Sequence, residues 1–86
     1  MIQKISAFVS VQLVYDHQRH TVAPRQIFWN GQAIRVAKVG IHHTIREGRT
    51  LFHIFSVTSD NLFFRLRLNT DNLHWTLEEV ADGLPN

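Results

Sequence analysis

The sequence contains no cysteine, one methionine and two prolines among its 86 residues. Without thiols, the chain can form neither disulfides nor a zinc site with thiolate ligands, and this composition is typical of a reducing compartment. Long apolar runs are missing too. The N-terminus opens directly into an alternating pattern, so we expect neither a signal peptide nor a membrane-spanning segment. These absences predict a cytoplasmic protein.

The charge is low and unevenly distributed along the chain. Residues 1–70 carry all nine basic side chains and three acidic ones, whereas residues 71–86 carry four acidic side chains and no basic one. The net charge of +2 is too small to require a nucleic-acid partner. The acidic end predicts either ion pairing within the chain or competition for its basic surface.

Hydrophobic residues make up 44% of the chain and mostly alternate with polar ones. Because this period of two is typical of strands and no long helical period occurs, we predict an all-β protein. A chain of this length predicts one domain, residues 1–86, with residues 82–86 as a frayed tail. The expected architecture is a meander of about six antiparallel strands in a small, partly open barrel or sandwich. The predicted strands are 4–15, 25–29, 32–46, 50–58, 62–68 and 73–80, with a polar loop over 16–23.

Two features specify this arrangement locally. Asn30-Gly31 is the strongest short signal for a β-hairpin, and its two-residue turn places Ile27 opposite Ile34. In the segment 32–46 the apolar residues change from one face to the other near Ala37, which predicts a bulge or a bend as at the corner of a barrel.

Each later turn predicts a register. We expect a two-residue turn at Glu47-Gly48, a three-residue loop at 59–61 and a four-residue loop at 69–72. Together they place His42, His53, Arg67 and His74 in one outward row, with Phe55 beside Arg65. Val57 and Phe63 join that face, while His43, Trp29 and Trp75 lie on the core side. The candidate binding residues on this face are Lys38, His42, His53, Phe55, Arg65, Arg67 and His74.

The predicted face has two interpretations. Aromatic and cationic side chains on one sheet surface are typical of proteins that bind single-stranded DNA or RNA. However, the strand 51–57 is apolar on both faces. This pattern favours a sheet face whose outward aromatics are covered by the first strand or by a second subunit. We therefore predict a protein-interaction or homodimerisation module, with nucleic-acid binding as the alternative.

No pattern indicates catalysis or a cofactor. His42 and His53 as cross-strand neighbours supply two metal ligands, whereas a zinc site needs three or four. The chain has no thiol, no serine in the context of a nucleophile elbow and no glycine-rich phosphate loop. We expect a non-enzymatic protein without a metal, a cofactor or a small-molecule substrate.

One segment of the chain reads Pro24-x-x-Ile27-x-Trp29-x-Gly31-x-x-Ile34-x-Val36. It resembles the opening segment, Pro-x-x-Phe-x-Trp-x-Gly-x-x-Tyr-x-Val, of a family of short bacterial domains of unknown function. The match extends through Arg46-Glu47-Gly48 and Trp75-x-Leu77-x-x-Val80, so it covers about residues 22–82, and the chain departs from the family at Ile27 and Ile34. Some relatives lie beside genes for translesion DNA polymerases. The resemblance therefore implies an accessory role in DNA repair, and it supplies no catalytic residues.

Overall fold

The computed structural model describes residues 2–82, which form seven antiparallel strands and no helix. The prediction of an all-β meander is confirmed. No helix that could cross a membrane occurs in this part of the chain. Residues 83–86 of the predicted frayed tail lie outside the described residues. The strands are β1 (Ile2–Asp16), β2 (Thr21–Trp29), β3 (Gln32–Arg35), β4 (Lys38–Glu47), β5 (Thr50–Ser59), β6 (Leu62–Asn69) and β7 (Trp75–Asp82).

All seven strands belong to one sheet with the order β3-β2-β1-β7-β6-β5-β4. Although β3 and β4 follow each other in the chain, they lie at opposite ends of this sheet. The link between them bridges both ends, because the Val36 N–H donates to the Arg25 carbonyl at 2.9 Å and the Ala37 N–H donates to the Thr58 carbonyl at 2.8 Å. The sheet therefore curls back on itself as a partly open barrel or sandwich. The predicted strand 32–46 is two strands, with the bend where the apolar pattern changes face.

The hairpin of β2 and β3 forms as predicted. Asn30 and Gly31 have φ values of 52° and 71°, as expected for both central residues of a tight two-residue turn. Ile27 lies opposite Ile34. The hairpin thus brings Ile27 into the core and places Trp29 half-buried against it.

The buried core consists of side chains from β2, β5, β6, β7 and the link between β3 and β4. Trp75 packs half-buried against it, so the core-side placement predicted for both tryptophans is confirmed. The predicted face of Val57 is wrong, because this side chain is fully buried. The buried core residues are Ile27, Val36, Phe55, Val57, Phe64, Leu66 and Leu77.

The register predicted between β5 and β6 is wrong by one residue. Ser59 pairs with Leu62 across a two-residue turn, so Phe55 lies opposite Leu66 and not opposite Arg65. A shift of one residue moves every side chain of a strand to the other face. Phe55 is consequently 1% exposed in the core, while Ser56 lies beside Arg65 on the outside.

Two other registers differ by two residues, which preserves the faces for most of each strand. The β4–β5 turn is Gly48-Arg49, so His42 lies opposite Phe55 and not opposite His53. An irregularity at Gly40 then places His43 outside and exposed, contrary to the predicted core position. Leu68 pairs with Trp75 because residues 70–74 form a longer loop than predicted. The loop before β2 is shorter than predicted and comprises residues 17–20.

Candidate interaction surfaces

The structure divides the predicted binding residues between two faces of the sheet. Arg65 and Arg67 point outward from β6, and Lys38 begins β4, opposite Thr58. His74 lies in the loop before β7, where its ring makes an edge contact with Phe8 at 5.5 Å. On the opposite face lie His42, His53 and Phe55, which the predicted register had placed next to the arginines.

The outward arginines are neutralised within the chain. Glu78 accepts from Arg65 Nε at 3.1 Å and lies 3.5 Å from Arg67 Nη1. Arg67 also pairs with Glu47, and Lys4 Nζ lies 3.2 Å from Glu79. Three cations thus face three carboxylates, two of them from the acidic end of the chain, and the predicted ion pairing within the chain is confirmed.

Arg67 also contacts an aromatic ring. Its guanidinium carbon lies 3.7 Å from the centre of the Phe52 ring, which is a close cation–π contact. The guanidinium therefore bridges Phe52, Glu47 and Glu78 and holds β4 through β7 together on this face. A nucleic-acid phosphate would have to displace these contacts before it could bind there.

His42, His53 and Phe55 form a ring cluster over one end of the core. His42 Nε2 lies 2.7 Å from His53 Nδ1, and the His42 ring stacks on Phe55 with a centroid distance of 4.2 Å. Partial desolvation of the His42 ring where it stacks on Phe55 lowers the pKa of this otherwise exposed side chain, and the neighbouring His53 and His43 lower it further. Because a neutral imidazole has one donor and one acceptor nitrogen, this distance fits an N–H···N hydrogen bond between the two rings. Within residues 2–82, no group of three or more His, Cys, Asp or Glu side chains could hold a metal ion.

The edge strand β4 presents an open surface. Among residues 2–82 its one hydrogen-bonded neighbour is β5, and residues 40–44 are exposed on both faces of the strand. Ile41 is 60% exposed, although the sequence pattern favours the core. Along an antiparallel ladder, residue pairs that exchange backbone hydrogen bonds alternate with pairs that do not. The two residues that flank a two-residue turn form a hydrogen-bonded pair. The N–H and C=O groups of His42, Thr44 and Arg46 therefore point away from β5 to the free edge.

The other edge strand, β3, borders a groove of about 1080 Å³. Ser59, Asp60 and Leu62, in and beside the β5–β6 turn, also line this groove. The sequence pattern did not identify this groove. The sequence offers one signal for it: Arg25 and Arg35 lie on the two strands of the confirmed hairpin, both at the end away from its turn.

Comparison with known proteins assigns the chain to no group. No protein-family model matches the chain, and neither a curated protein nor a solved structure shows significant similarity to it.

Proposed function

We propose that this chain is a non-enzymatic protein-interaction module that forms a homodimer through the free edge of β4. The observation that supports this proposal is the free edge of β4: no strand of residues 2–82 pairs with that side, and Ile41 is 60% exposed. Free strand edges pair readily with other chains, and proteins protect them with lysine, proline or a bulge. Residues 41–45 contain neither lysine nor proline, and the irregularity lies before them, at Gly40.

The occupant of this edge is a second copy of the chain, because the strand is complementary to itself. A two-fold axis through an antiparallel pair keeps corresponding faces on the same side of the joined sheet. With His43 on that axis, Ile41 lies opposite the second copy's Ile45. His42 and Thr44, whose backbone groups point to the free edge, then exchange hydrogen bonds with their counterparts in the second copy. The same register therefore pairs the isoleucine side chains and satisfies the free backbone hydrogen-bonding groups.

Sedimentation of the full chain over a range of concentrations tests the homodimer. We expect a species of twice the 10.0 kDa chain mass. Ile41→Lys should raise the dissociation constant by about tenfold or more, because it places a charge opposite an isoleucine in the joined sheet. Leu73→Lys is the matched control, since Leu73 is 70% exposed in the 70–74 loop and should leave the dimer intact. A monomer at all concentrations, or equal effects of both variants, would contradict the proposal.

Nucleic-acid binding through Lys38, His42, His53, Phe55, Arg65, Arg67 and His74 has less support. Phe55 is buried, and Arg65 and Arg67 are already paired with carboxylates. The accessory role in DNA repair implied by the family resemblance remains a prediction. The lack of cysteine supports the proposal that the protein acts in the cytoplasm or another reducing compartment.

A further inference from the structure

The groove beside β3 combines an apolar floor with a polar rim. Ile34, Val36 and Phe64 contribute core side chains to its lining, and Trp29 and Leu62 add partly exposed apolar surface. The polar lining comes mainly from arginine and glutamine side chains. These are Arg25, Arg35, Gln12, Gln26 and Gln32.

The backbone of β3 leaves hydrogen-bonding groups free along this groove. The Val36 N–H bonds to the Arg25 carbonyl, so residues 32, 34 and 36 direct their backbone groups toward β2. Because the direction alternates along an antiparallel pair, the N–H and C=O groups of Ala33 and Arg35 point to the open side. Both residues line the groove. These four groups have the spacing that one additional strand requires.

The charge of the groove indicates what kind of strand it accepts. Within residues 2–82, the side chains of Arg25 and Arg35 make no ion pair or hydrogen bond, in contrast to Arg65 and Arg67. Among the described residues that line the groove, one carries a carboxylate, Asp60 in the β5–β6 turn. The lining therefore has an excess of positive charge, which complements an acidic ligand.

We propose that the β3 groove binds an extended acidic peptide segment of a partner protein, which pairs with β3 as an added strand. In this mode of recognition the main chain supplies affinity and alternate side chains supply specificity. Apolar side chains of the peptide would contact Ile34, Trp29 and Leu62, and its carboxylates would pair with Arg25 and Arg35. Backbone donors and acceptors at strand spacing favour a peptide over a nucleic acid. The half-buried Trp29 also leaves only part of its ring for base stacking.

Selection from a phage-displayed library of random ten-residue peptides against the full chain tests this proposal. We expect enriched peptides in which acidic and apolar residues alternate, and one of them is then synthesised for titration. Ala33→Pro removes a free-edge N–H without affecting the β2 ladder, and an edge strand tolerates this change. It should weaken binding by about tenfold or more, as should Arg35→Glu. The matched controls on the other edge, Thr44→Pro and Arg46→Glu, should not change the affinity.

N-methylation of the peptide gives a second measurement that needs no protein variant. Methyl groups on one alternate set of amides should abolish binding, and methyl groups on the other set should not, because only one set faces β3. Enrichment without acidic residues, or equal binding by both methylated peptides, would overturn the proposal. A ten-nucleotide oligothymidine that binds wild type and Ala33→Pro equally, but not Arg35→Glu, would assign the groove to nucleic acid and overturn it too. Because β4 takes no part in the groove, these results are independent of the homodimer.

Discussion

At the scale of single residues, His42 links pH to stability. Its ring stacks on the buried Phe55, and burial there lowers its pKa below the ordinary value of 6.5. The folded protein therefore holds this proton less tightly than the unfolded chain does. The neutral His42 ring makes its full contribution to the free energy of unfolding above about pH 6.5. This contribution is lost as the pH falls from there toward the lowered pKa of His42.

The pH dependence can be measured by urea unfolding at pH 7.5 and pH 5.5 in an Ile41→Lys background, where dimerisation does not contribute. We expect the free energy of unfolding to fall less between these two pH values in His42→Gln than in the parent. Gln18→Ala, in the exposed 17–20 turn, removes no titratable group and should retain the parent's pH dependence. Equal losses in all three proteins would show that His42 is not the titrating group.

Phe55 provides the residue-scale test of the register between β5 and β6. It is 1% exposed and contacts both the His42 ring and Trp75, the latter at 5.6 Å. Truncation to alanine should lower the free energy of unfolding by about 3–5 kcal/mol, because it opens a cavity in the core. Phe8→Ala, at a side chain that is 77% exposed, should stay within about 0.5 kcal/mol of wild type. Similar losses for both variants in chemical denaturation would mean that Phe55 lies on the outward face.

At the scale of strands, the two free edges can be distinguished by proline. Thr44→Pro removes an N–H that points away from β5, so the β4–β5 ladder stays complete while the proposed dimer loses two symmetry-related hydrogen bonds. We expect Thr44→Pro to sediment as a monomer at concentrations where wild type is a dimer. Ala33→Pro, on the β3 edge, should remain dimeric. If Ala33→Pro dissociated the dimer and Thr44→Pro did not, the chain would self-associate through β3, which would contradict the proposed β4 dimer.

The strands also show which registers a sequence can specify. Asn30-Gly31 predicted its hairpin correctly because few residue pairs adopt positive φ at two successive positions. The predicted loop at 59–61 is wrong because β5 is apolar on both faces, so either register of β5 against β6 buries hydrophobic side chains. Leu73 adopts a φ of 63° within the 70–74 loop, a conformation that a leucine does not signal. The irregularity at Gly40 likewise has no distinctive pattern, and it moved Ile41 from the expected core to the surface.

At the scale of the whole molecule, the sheet curls without closing and leaves both of its end strands available. Alternation and length were sufficient to predict the all-β meander and its partly open form. They were not sufficient to predict the candidate site, because a register error of one residue separated Phe55 from Arg65. The same topology places β4 and the β3 groove at opposite ends of the sheet order. The two proposed partners therefore use different strands, a second copy β4 and an acidic peptide β3.

Oxidative crosslinking through a single cysteine tests the β4 homodimer most directly, since the natural chain has none. In the proposed register His43 faces its own counterpart as a non-hydrogen-bonded pair, with Cα atoms about 4.5 Å apart, which lies within the range of a disulfide. We predict that His43→Cys forms a disulfide-linked dimer under mild oxidation. Ile41→Cys should remain uncrosslinked, because its counterpart lies about 13 Å away along the strand. Crosslinking of Ile41→Cys, or none for His43→Cys at concentrations where wild type is dimeric, would contradict the account.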